Sequence, residues 1–325
     1  MSAFEQRWYR RPAFALLPLE LFYRSVVAVR RKAYQWRLFS STRLDVPVVV
    51  VGNISVGGTG KTPLVIWLVQ RLKEAGYQPG IITRGYGGKS DVWPQAVFPD
   101  SDPALVGDEP VIMARRCDCP VVAGPNRIDA AHELLASYDC DILVSDDGMQ
   151  HYRLHRDVEI AVVDGVRRFG NNHCLPAGPL REPHKRLKEV DYVVVNGGDS
   201  GAAGEWGMRL IQGDAFSLTD SSPPVSLSAF RGQTVHAVAG IGHPDRFFKQ
   251  LGAQGIGVIE HAFPDHHLFV ADDLLFGDNL AVLMTEKDAV KCRNFADNRC
   301  WYIPVEAHFD EGFSASLLGT IQQRQ

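Results

Sequence analysis

The chain has 325 residues, of which 45% are hydrophobic and 22% are charged, and its formal net charge is −4. These values are typical of a globular protein with one large domain or two modest ones, and they exclude a disordered chain. The six cysteines form no CxxC pair and no zinc-like spacing, which argues against a disulfide framework and against structural zinc.

The positive charge is concentrated at the N-terminal end. Residues 1–43 contain nine Lys or Arg residues and only two acidic residues. A nucleic-acid-binding protein is expected to carry positive charge over its main domain, so we predict no nucleic-acid partner. The segregated charge instead indicates an anionic surface that the N-terminal segment alone meets.

The same segment is predicted to form an amphipathic helix. Helical spacing places seven apolar residues in one stripe, while Glu20, Arg24 and Arg31 share another face. The apolar run is too short and too interrupted to cross a bilayer, so we expect an interfacial helix on a membrane surface. Packing of this helix on its own domain stays an alternative. The stripe consists of Leu19, Phe22, Tyr23, Val26, Val29, Ala33 and Trp36.

After residue 45, short β-rich runs alternate with helical stretches. This alternation predicts an α/β fold of the P-loop NTPase type, in which helices cover both faces of a parallel sheet. A polar stretch at 219–224 reads as a linker to a smaller C-terminal α/β domain. We therefore predict a membrane-associating helix at 1–43, a kinase domain at 44–219 and a cleft-closing domain at 220–325. The predicted strands are 46–51, 80–83, 120–123, 141–144, 158–163, 191–195, 235–239, 257–262, 281–284 and 301–305, and a weaker stretch at 208–218 precedes the linker.

The sequence GNISVGGTGKTP at 52–63 directly follows the first of these strands. It departs from the strict G-x-x-x-x-G-K-[ST] pattern because Ser55 stands at the first glycine position. The remaining glycines still allow backbone N–H groups to surround phosphate oxygens at a helix N-terminus. We expect Lys61 to reach the β- and γ-phosphates of ATP and Thr62 to bind Mg²⁺. The predicted nucleotide-binding residues here are Ser55, Gly57, Gly58, Thr59, Gly60, Lys61 and Thr62.

A second apolar strand ends in SDDGMQH at 145–151. Carboxylates at the carboxyl end of a strand beside the P-loop strand lie where a Mg²⁺ ion needs them. We therefore predict that Asp146 and Asp147 are metal ligands. A plain turn is the alternative for Asp-Asp-Gly.

Phosphoryl transfer also needs an activated acceptor, and a carboxylate commonly accepts its proton. The sequence VGDEP at 106–110 offers Asp108 in a loop that leads into a helix, where N-capping is the alternative. The sequence FPDHH at 263–267 offers His266 from the second domain, where a surface role is the alternative.

Nine separated blocks, in the same order, closely resemble the tetraacyldisaccharide 4′-kinase family of lipid A biosynthesis. The resemblance extends from the N-terminal helix to about residue 305, and the family's phosphate loop has the same GGTGKT form. The blocks are GNISVGGTGKTP (52–63), ITRGYGGK (82–89), VGDEP (106–110), GPNR (124–127), SDDGMQH (145–151), LPAGPLREP (175–183), GIGHPDRFF (240–248), FPDHH (263–267) and MTEKDAVK (284–291).

The resemblance implies an ATP- and Mg²⁺-dependent kinase. It implies transfer of the γ-phosphoryl group to the 4′-hydroxyl of tetraacyldisaccharide 1-phosphate, at the cytoplasmic face of a bacterial inner membrane. By this similarity Asp108 is the catalytic base, His266 is its partner, and Lys61 belongs to the catalytic set. The block LREP implies Arg181 as a phosphate contact and Glu182 as a metal-site carboxylate.

Some assignments stay open within the resemblance. Residues 85–88, Asn126 and Arg127 either shape a lipid-phosphate site or are plain loop residues. Residues 285–288 either cap a helix or contact the nucleotide or acceptor. The alternative function is a membrane-associated P-loop switch or transport ATPase. Such proteins carry a lysine directly before the Gly-Gly pair, where this chain has Val56.

Overall fold

The structure is a computed structural model, and it describes residues 8–9, 12–198, 203–219 and 222–324. Arg7, Arg10 and Arg11 of the basic segment, and residues 220–221 of the predicted linker, lie outside the described residues. The strands are β1 Val48–Gly52, β2 Pro79–Thr83, β3 Gln95–Val97, β4 Val121–Ala123, β5 Ile142–Asp146, β6 Val158–Asp164, β7 Tyr192–Asn196, β8 Glu205–Gln212, β9 Phe216–Ser217, β10 Thr234–Ala239, β11 Gly257–Ala262, β12 Val282–Thr285, β13 Cys300–Ile303 and β14 Val305–Phe309. The helices are α1 Leu17–Gln35, α2 Lys61–Glu74, α3 Pro103–Val106, α4 Asp108–Cys117, α5 Arg127–Ser137, α6 Pro244–Ala253, α7 Glu286–Cys292 and α8 Phe313–Gln323.

The larger sheet has nine strands in the order β14-β8-β7-β6-β1-β5-β2-β4-β3. Strand β1 lies in its middle, parallel to β5 and β6, and all five of its residues are buried. Because β-branched side chains of β1 point to both faces, each face needs a cover. Helices α2, α4 and α8 cover one face and α5 covers the other. The predicted α/β fold of the P-loop type is confirmed.

The smaller sheet has five strands in the order β11-β10-β12-β13-β9. Its first four strands are parallel, and β9 runs antiparallel to β13. Side chains of α6 pack on one face together with the interior side chains of β10. This second α/β unit is built mostly from residues 234–303, and its edge strand β9 precedes the predicted boundary at residue 220.

The chain returns to the larger sheet at its C-terminal end. Pro304 separates β13 from β14, and β14 pairs antiparallel with β8. Proline has no backbone N–H group, so one continuous strand through this position is disfavoured. Helix α8 then packs on the larger sheet through Phe313. Residues 305–323 therefore lie with the P-loop sheet, although the sequence places them in the C-terminal domain.

The N-terminal helix α1 turns its polar face toward the protein. Glu20 is buried, where its Oε2 contacts Nδ1 of His173 at 2.9 Å and its Oε1 accepts a hydrogen bond from the N–H of Cys174. Tyr23 donates a hydrogen bond to the carbonyl oxygen of Arg181. Most of the predicted apolar stripe is exposed instead, namely Leu19, Phe22, Val26, Val29 and Trp36. No helix in the described part of the chain is long and apolar enough to cross a membrane.

Candidate active site

The phosphate loop joins the carboxyl end of β1 to α2. Gly57 and Gly60 have φ values of 95° and 92°, a left-handed conformation that glycine adopts without strain. A Cβ atom at Gly60 would also lie 2.5 Å from Nδ2 of Asn196, so this position has no room for a side chain. Helix α2 begins at Lys61, so its N-terminus faces the loop, with Thr62 in the first turn.

Two buried asparagines hold the loop from inside. Nδ2 of Asn53 donates a hydrogen bond to Oγ1 of Thr59 at 3.2 Å. Nδ2 of Asn196, at the end of β7, donates to the carbonyl oxygen of Thr59 at 2.9 Å. The sequence reading did not find Asn196. In the sequence, Asn196 is a polar residue at the carboxyl end of a parallel strand. This feature indicates a position near the phosphate loop only when β7 is known to lie two strands from β1 in the sheet.

Residues 179–181 form backbone contacts with the start of the phosphate loop. The N–H of Val56 donates to the carbonyl oxygen of Pro179, and the N–H of Arg181 donates to that of Ile54. Ser55 forms a backbone bridge with Leu180. These contacts bring Arg181 and the following Glu182 beside the phosphate loop, although more than 115 residues separate them from it.

The carboxylate of Asp147 contacts two cationic side chains of the site. Its Oδ1 lies 3.4 Å from Nζ of Lys61, and Nη1 of Arg181 lies 3.2 and 3.1 Å from its two carboxylate oxygens. Burial alone would raise the pKa of Asp147, but the charges of Lys61 and Arg181 outweigh it and lower the pKa to about 2. Asp147 is therefore ionised and holds both cations next to the phosphate loop.

Asp146 is the last residue of β5 and is paired in register with Val51 of β1. Its side chain is fully buried, and its Oδ2 accepts a hydrogen bond from Oγ1 of Thr83 at 3.1 Å. Its Oδ1 has no hydrogen-bond partner among the described residues. Burial, followed by the nearby charges of Glu109 and Asp147, raises the pKa of Asp146 to about 7.

These residues fit a Mg²⁺ ion. The unpaired Oδ1 of Asp146 is a hard oxygen donor in a buried position. Asp147 follows it in the chain, and Thr62 lies in the first turn of α2. No cluster of three or more His, Cys, Asp or Glu side chains within the described ranges forms a complete metal cage. Mg²⁺ needs no such cage, because it usually keeps several waters and takes phosphate oxygens of its nucleotide as ligands.

Glu182 is connected to Arg181 through Gln150. Its Oε1 accepts a hydrogen bond from Nε2 of Gln150 at 2.9 Å, and its Oε2 accepts one from the hydroxyl of Tyr152. Oε1 of Gln150 in turn lies 3.4 Å from Nη1 of Arg181. Both oxygens of Glu182 are thus engaged, so in this arrangement it orients Gln150 and does not present a free oxygen to a metal.

The candidate base and its partner meet across the two sheets. Asp108 opens α4, and its Oδ1 accepts a hydrogen bond from the N–H of Glu109. Its Oδ2 lies 3.2 Å from Nδ1 of His266, which follows β11. Burial would raise the pKa of Asp108, but the hydrogen bond from His266 and the charge of Lys287 outweigh it and lower that pKa. The hydrogen bond with Asp108 raises the pKa of His266 against the effect of burial.

Lysines on α7 complete this corner. Nζ of Lys287 lies 3.3 Å from Oε1 of Glu109 and 3.4 Å from Nε2 of His266. Lys291 lies 3.9 Å from Oδ2 of Asp108. Thr285 caps α7, because its Oγ1 accepts the N–H of Asp288. Thr285 therefore caps the helix, and Lys287 lines the cleft.

The side chains of the block at 124–127 form hydrogen bonds with the backbone. Arg127 is buried and donates hydrogen bonds to the carbonyl oxygens of Gly124, Asp146 and Asp147. Oδ1 of Asn126 accepts the N–H of Ile128 and so caps α5. The predicted alternatives for these residues are a lipid-phosphate site and a plain loop role. The contacts favour a structural role in the loop. For Arg127, that role fixes the turn that carries the two aspartates.

A cleft of about 250 Å³ opens between the sheets and joins these groups. Lys61 and Thr62 lie on its larger-sheet side, together with Glu109 at the start of α4. Asp265 and Lys287 lie on its smaller-sheet side. The cleft therefore connects the phosphate loop with the direct neighbours of Asp108 and His266.

Comparison with known proteins decides the family. A family model described as tetraacyldisaccharide-1-P 4′-kinase (LpxK) matches residues 12–322. The chain belongs to this family. The predicted family is confirmed, and so is the prediction of a kinase with an alcohol group as acceptor. The alternative, a switch or transport ATPase, is not favoured.

Curated relatives agree along nearly the whole chain. The tetraacyldisaccharide 4′-kinase of Nitrosococcus oceani is 53% identical over 318 residues, which cover 97% of this chain and 93% of the relative. That of Methylobacillus flagellatus is 49% identical, over 98% of this chain and 95% of the relative. Among solved structures, the "apo" form of LpxK from Aquifex aeolicus in complex with ATP matches with a TM-score of 0.80. It is 28% identical and covers 95% of this chain and 98% of that one.

Proposed function

We propose that the chain transfers the γ-phosphoryl group of ATP to the 4′-hydroxyl of tetraacyldisaccharide 1-phosphate, with Asp108 as the base. The observation that carries this proposal is the contact between Asp108 and His266 beside the cleft that the phosphate loop lines. The curated relatives are named for this reaction, and the matched Aquifex aeolicus structure contains ATP.

In this mechanism Asp108 accepts the proton of the acceptor hydroxyl. A carboxylate oxygen can only accept, so Nδ1 of His266 carries the hydrogen of their contact. This contact leaves Nε2 of His266 free to accept from Lys287, which lies 3.4 Å away. His266 thereby fixes the orientation of Asp108, and the lysines keep it ionised until the proton arrives.

The phosphate loop and its cations stabilise the transferring group. Backbone N–H groups of residues 57–62 surround the phosphates, and Lys61 and Arg181 neutralise charge that develops on the γ-phosphoryl oxygens. Asp147 contacts both cations. Asp146, Asp147 and Thr62 would hold Mg²⁺, which would act as a Lewis acid and offset negative charge on the phosphates. Glu182 acts on this set through Gln150.

Each proposed domain has its own role in the proposed reaction. We propose that residues 44–219 form the kinase domain, to which residues 305–323 return, and that the part of 220–325 built on the smaller sheet supplies His266 and Lys287 to close the cleft. Residues 1–43 form the membrane-associating segment. Because the base and its partner come from different sheets, a change in the angle between the sheets would separate them.

The N-terminal helix is proposed to rest on lipid at the cytoplasmic face of the bacterial inner membrane. On its polar face, Glu20 contacts His173 and Arg31 pairs with Glu189. Phe22 and Val29 on the opposite face are 70% and 68% exposed. An exposed apolar stripe on a basic helix is expected to enter the lipid headgroup region, where anionic lipids attract Lys and Arg. The acyl chains of the acceptor lie in the same membrane.

One assay tests the reaction. Purified protein is incubated with γ-labelled ATP, Mg²⁺ and tetraacyldisaccharide 1-phosphate dispersed in detergent, and the label is followed into the lipid. We expect one label per lipid at the 4′ position and little ATP hydrolysis without acceptor. Acceptor-independent ATP turnover would instead favour the switch or transport ATPase.

A further inference from the structure

Asn196 has a fixed orientation beside the phosphate loop. It is 4% exposed, and its Nδ2 donates a hydrogen bond to the carbonyl oxygen of Thr59 at 2.9 Å. A carbonyl oxygen only accepts hydrogen bonds, so the amide nitrogen must face Thr59. The Oδ1 atom of Asn196 therefore points to another part of its surroundings.

That oxygen lacks a partner. Oδ1 of Asn196 is buried and has no hydrogen bond to any described residue. A buried acceptor of this kind costs free energy unless a ligand or an ordered water satisfies it. Native proteins retain few such groups, and those at binding sites are commonly satisfied by the ligand.

The surroundings of Asn196 fit a nucleoside. The residue lines the same cleft as the phosphate loop, whose glycines and Lys61 are expected to take the phosphates. Apolar side chains line this cleft as well and suit the flat faces of a base. They are Leu210, Ile241, Phe247, Ile303 and Val305.

We propose that Oδ1 of Asn196 accepts a hydrogen bond from the nucleoside part of the bound nucleotide. The donor is either the amino group of the base or a ribose hydroxyl, since both present the hydrogen that this oxygen lacks. The inference rests on the proposed function, because it assumes that a nucleoside triphosphate occupies the loop. It makes Asn196 a specificity-determining residue that ties recognition of the nucleoside to the conformation of the loop.

Nucleotide binding without acceptor lipid tests this directly. Calorimetry with Mg²⁺ compares ATP with ITP, which lacks the 6-amino group, and with 2′-deoxy-ATP and 3′-deoxy-ATP, which each lack one hydroxyl. We expect the wild-type protein to bind one of these analogues about tenfold or more weakly than ATP. Asn196→Ala should lower ATP affinity and bring the ratio for that analogue close to one.

Asn53→Ala is the matched control. Asn53 is also buried and also donates to Thr59, but it does not line the cleft. Loss of the Asn53 side chain should weaken the binding of ATP and of every analogue by the same factor. Asn196→Ser, with circular dichroism for both variants, covers the case in which the alanine variant does not fold.

Two results would overturn the inference. One is wild-type protein that binds ATP and all three analogues equally, and the other is an analogue ratio that Asn196→Ala and Asn196→Ser leave unchanged. In that case Asn196 only supports the loop. Wild-type protein that binds no nucleotide would refute the proposed function itself, which is a separate outcome.

Discussion

Nδ1 of His266 lies 3.2 Å from Oδ2 of Asp108, and the two residues are 158 positions apart in the sequence. Asp108 opens a helix that covers the larger sheet, whereas His266 follows an edge strand of the smaller one. Their contact therefore depends on the packing of the two sheets against each other, and it has consequences for stability as well as for catalysis.

The pH dependence of stability should report this contact. A histidine whose folded pKa is raised stabilises the fold fully below its unfolded pKa, near 6.5, and this stabilisation is lost as pH rises through the folded value. The difference in unfolding free energy between wild type and His266→Gln should thus be largest below pH 6.5 and shrink above it. Denaturant titrations at several pH values measure it. In an Asp108→Asn background the difference should be nearly independent of pH.

Lys61 should be essential for turnover. Lys61→Ala removes a charge beside the transferring phosphoryl group, a loss that typically lowers kcat by about 10²-fold or more. Lys73→Ala is the matched control on the same helix, since Lys73 pairs with exposed Asp118 away from the loop. Steady-state rates of both variants are compared. More than about a tenth of wild-type activity in Lys61→Ala would contradict the assigned role.

The two aspartates should set the requirement for Mg²⁺. Asp146→Asn and Asp147→Asn each remove a hard oxygen ligand, so activity should need more Mg²⁺ or vanish at any concentration. Asp139→Asn, in an exposed position before β5, should leave the Mg²⁺ curve unchanged. Thermal melting is recorded alongside. A lower melting temperature with an unchanged Mg²⁺ requirement would assign the pair to a turn.

The exposed stripe of α1 should bind vesicles. Phe22→Ser with Val29→Ser should lower partitioning onto anionic vesicles at least about tenfold, because burial of each side chain contributes about 1.5–3 kcal/mol. Phe98→Ser with Val92→Ser removes two equally apolar side chains that are also exposed but lie outside α1. Vesicle flotation compares the two pairs. Equal binding by both would make the stripe irrelevant to membrane contact.

The sequence predicts what is local in this site. The phosphate loop is recognisable because an apolar strand, glycines, Lys61 and a helix follow one another without a gap. Asp146 is predictable for the same reason, since it ends an apolar strand. Helical periodicity likewise predicts α1, but it does not tell which face meets protein. The buried contacts of Glu20 supply that answer.

Features that depend on the order of the strands in a sheet cannot be predicted from the local sequence. Asn196 ends an ordinary apolar strand, and only the order β1-β6-β7 brings it to Thr59. Strand β14 follows β13 after a single proline yet joins the other sheet, so its residues read as a continuation of the same domain. The pairing of Asp108 with His266 was implied by family resemblance, because nothing in either local sequence points to the other.

A double-mutant cycle on kcat tests the central claim most directly. Asp108→Asn and His266→Ala should each lower kcat by about 10²- to 10⁴-fold, the usual scale of general-base catalysis. Because the two side chains act as one unit, the double variant should be scarcely slower than the slower single variant. ATP affinity, measured separately, should change little, since neither residue belongs to the phosphate loop. Fully additive losses in kcat, or normal kcat in His266→Ala, would contradict the proposed mechanism.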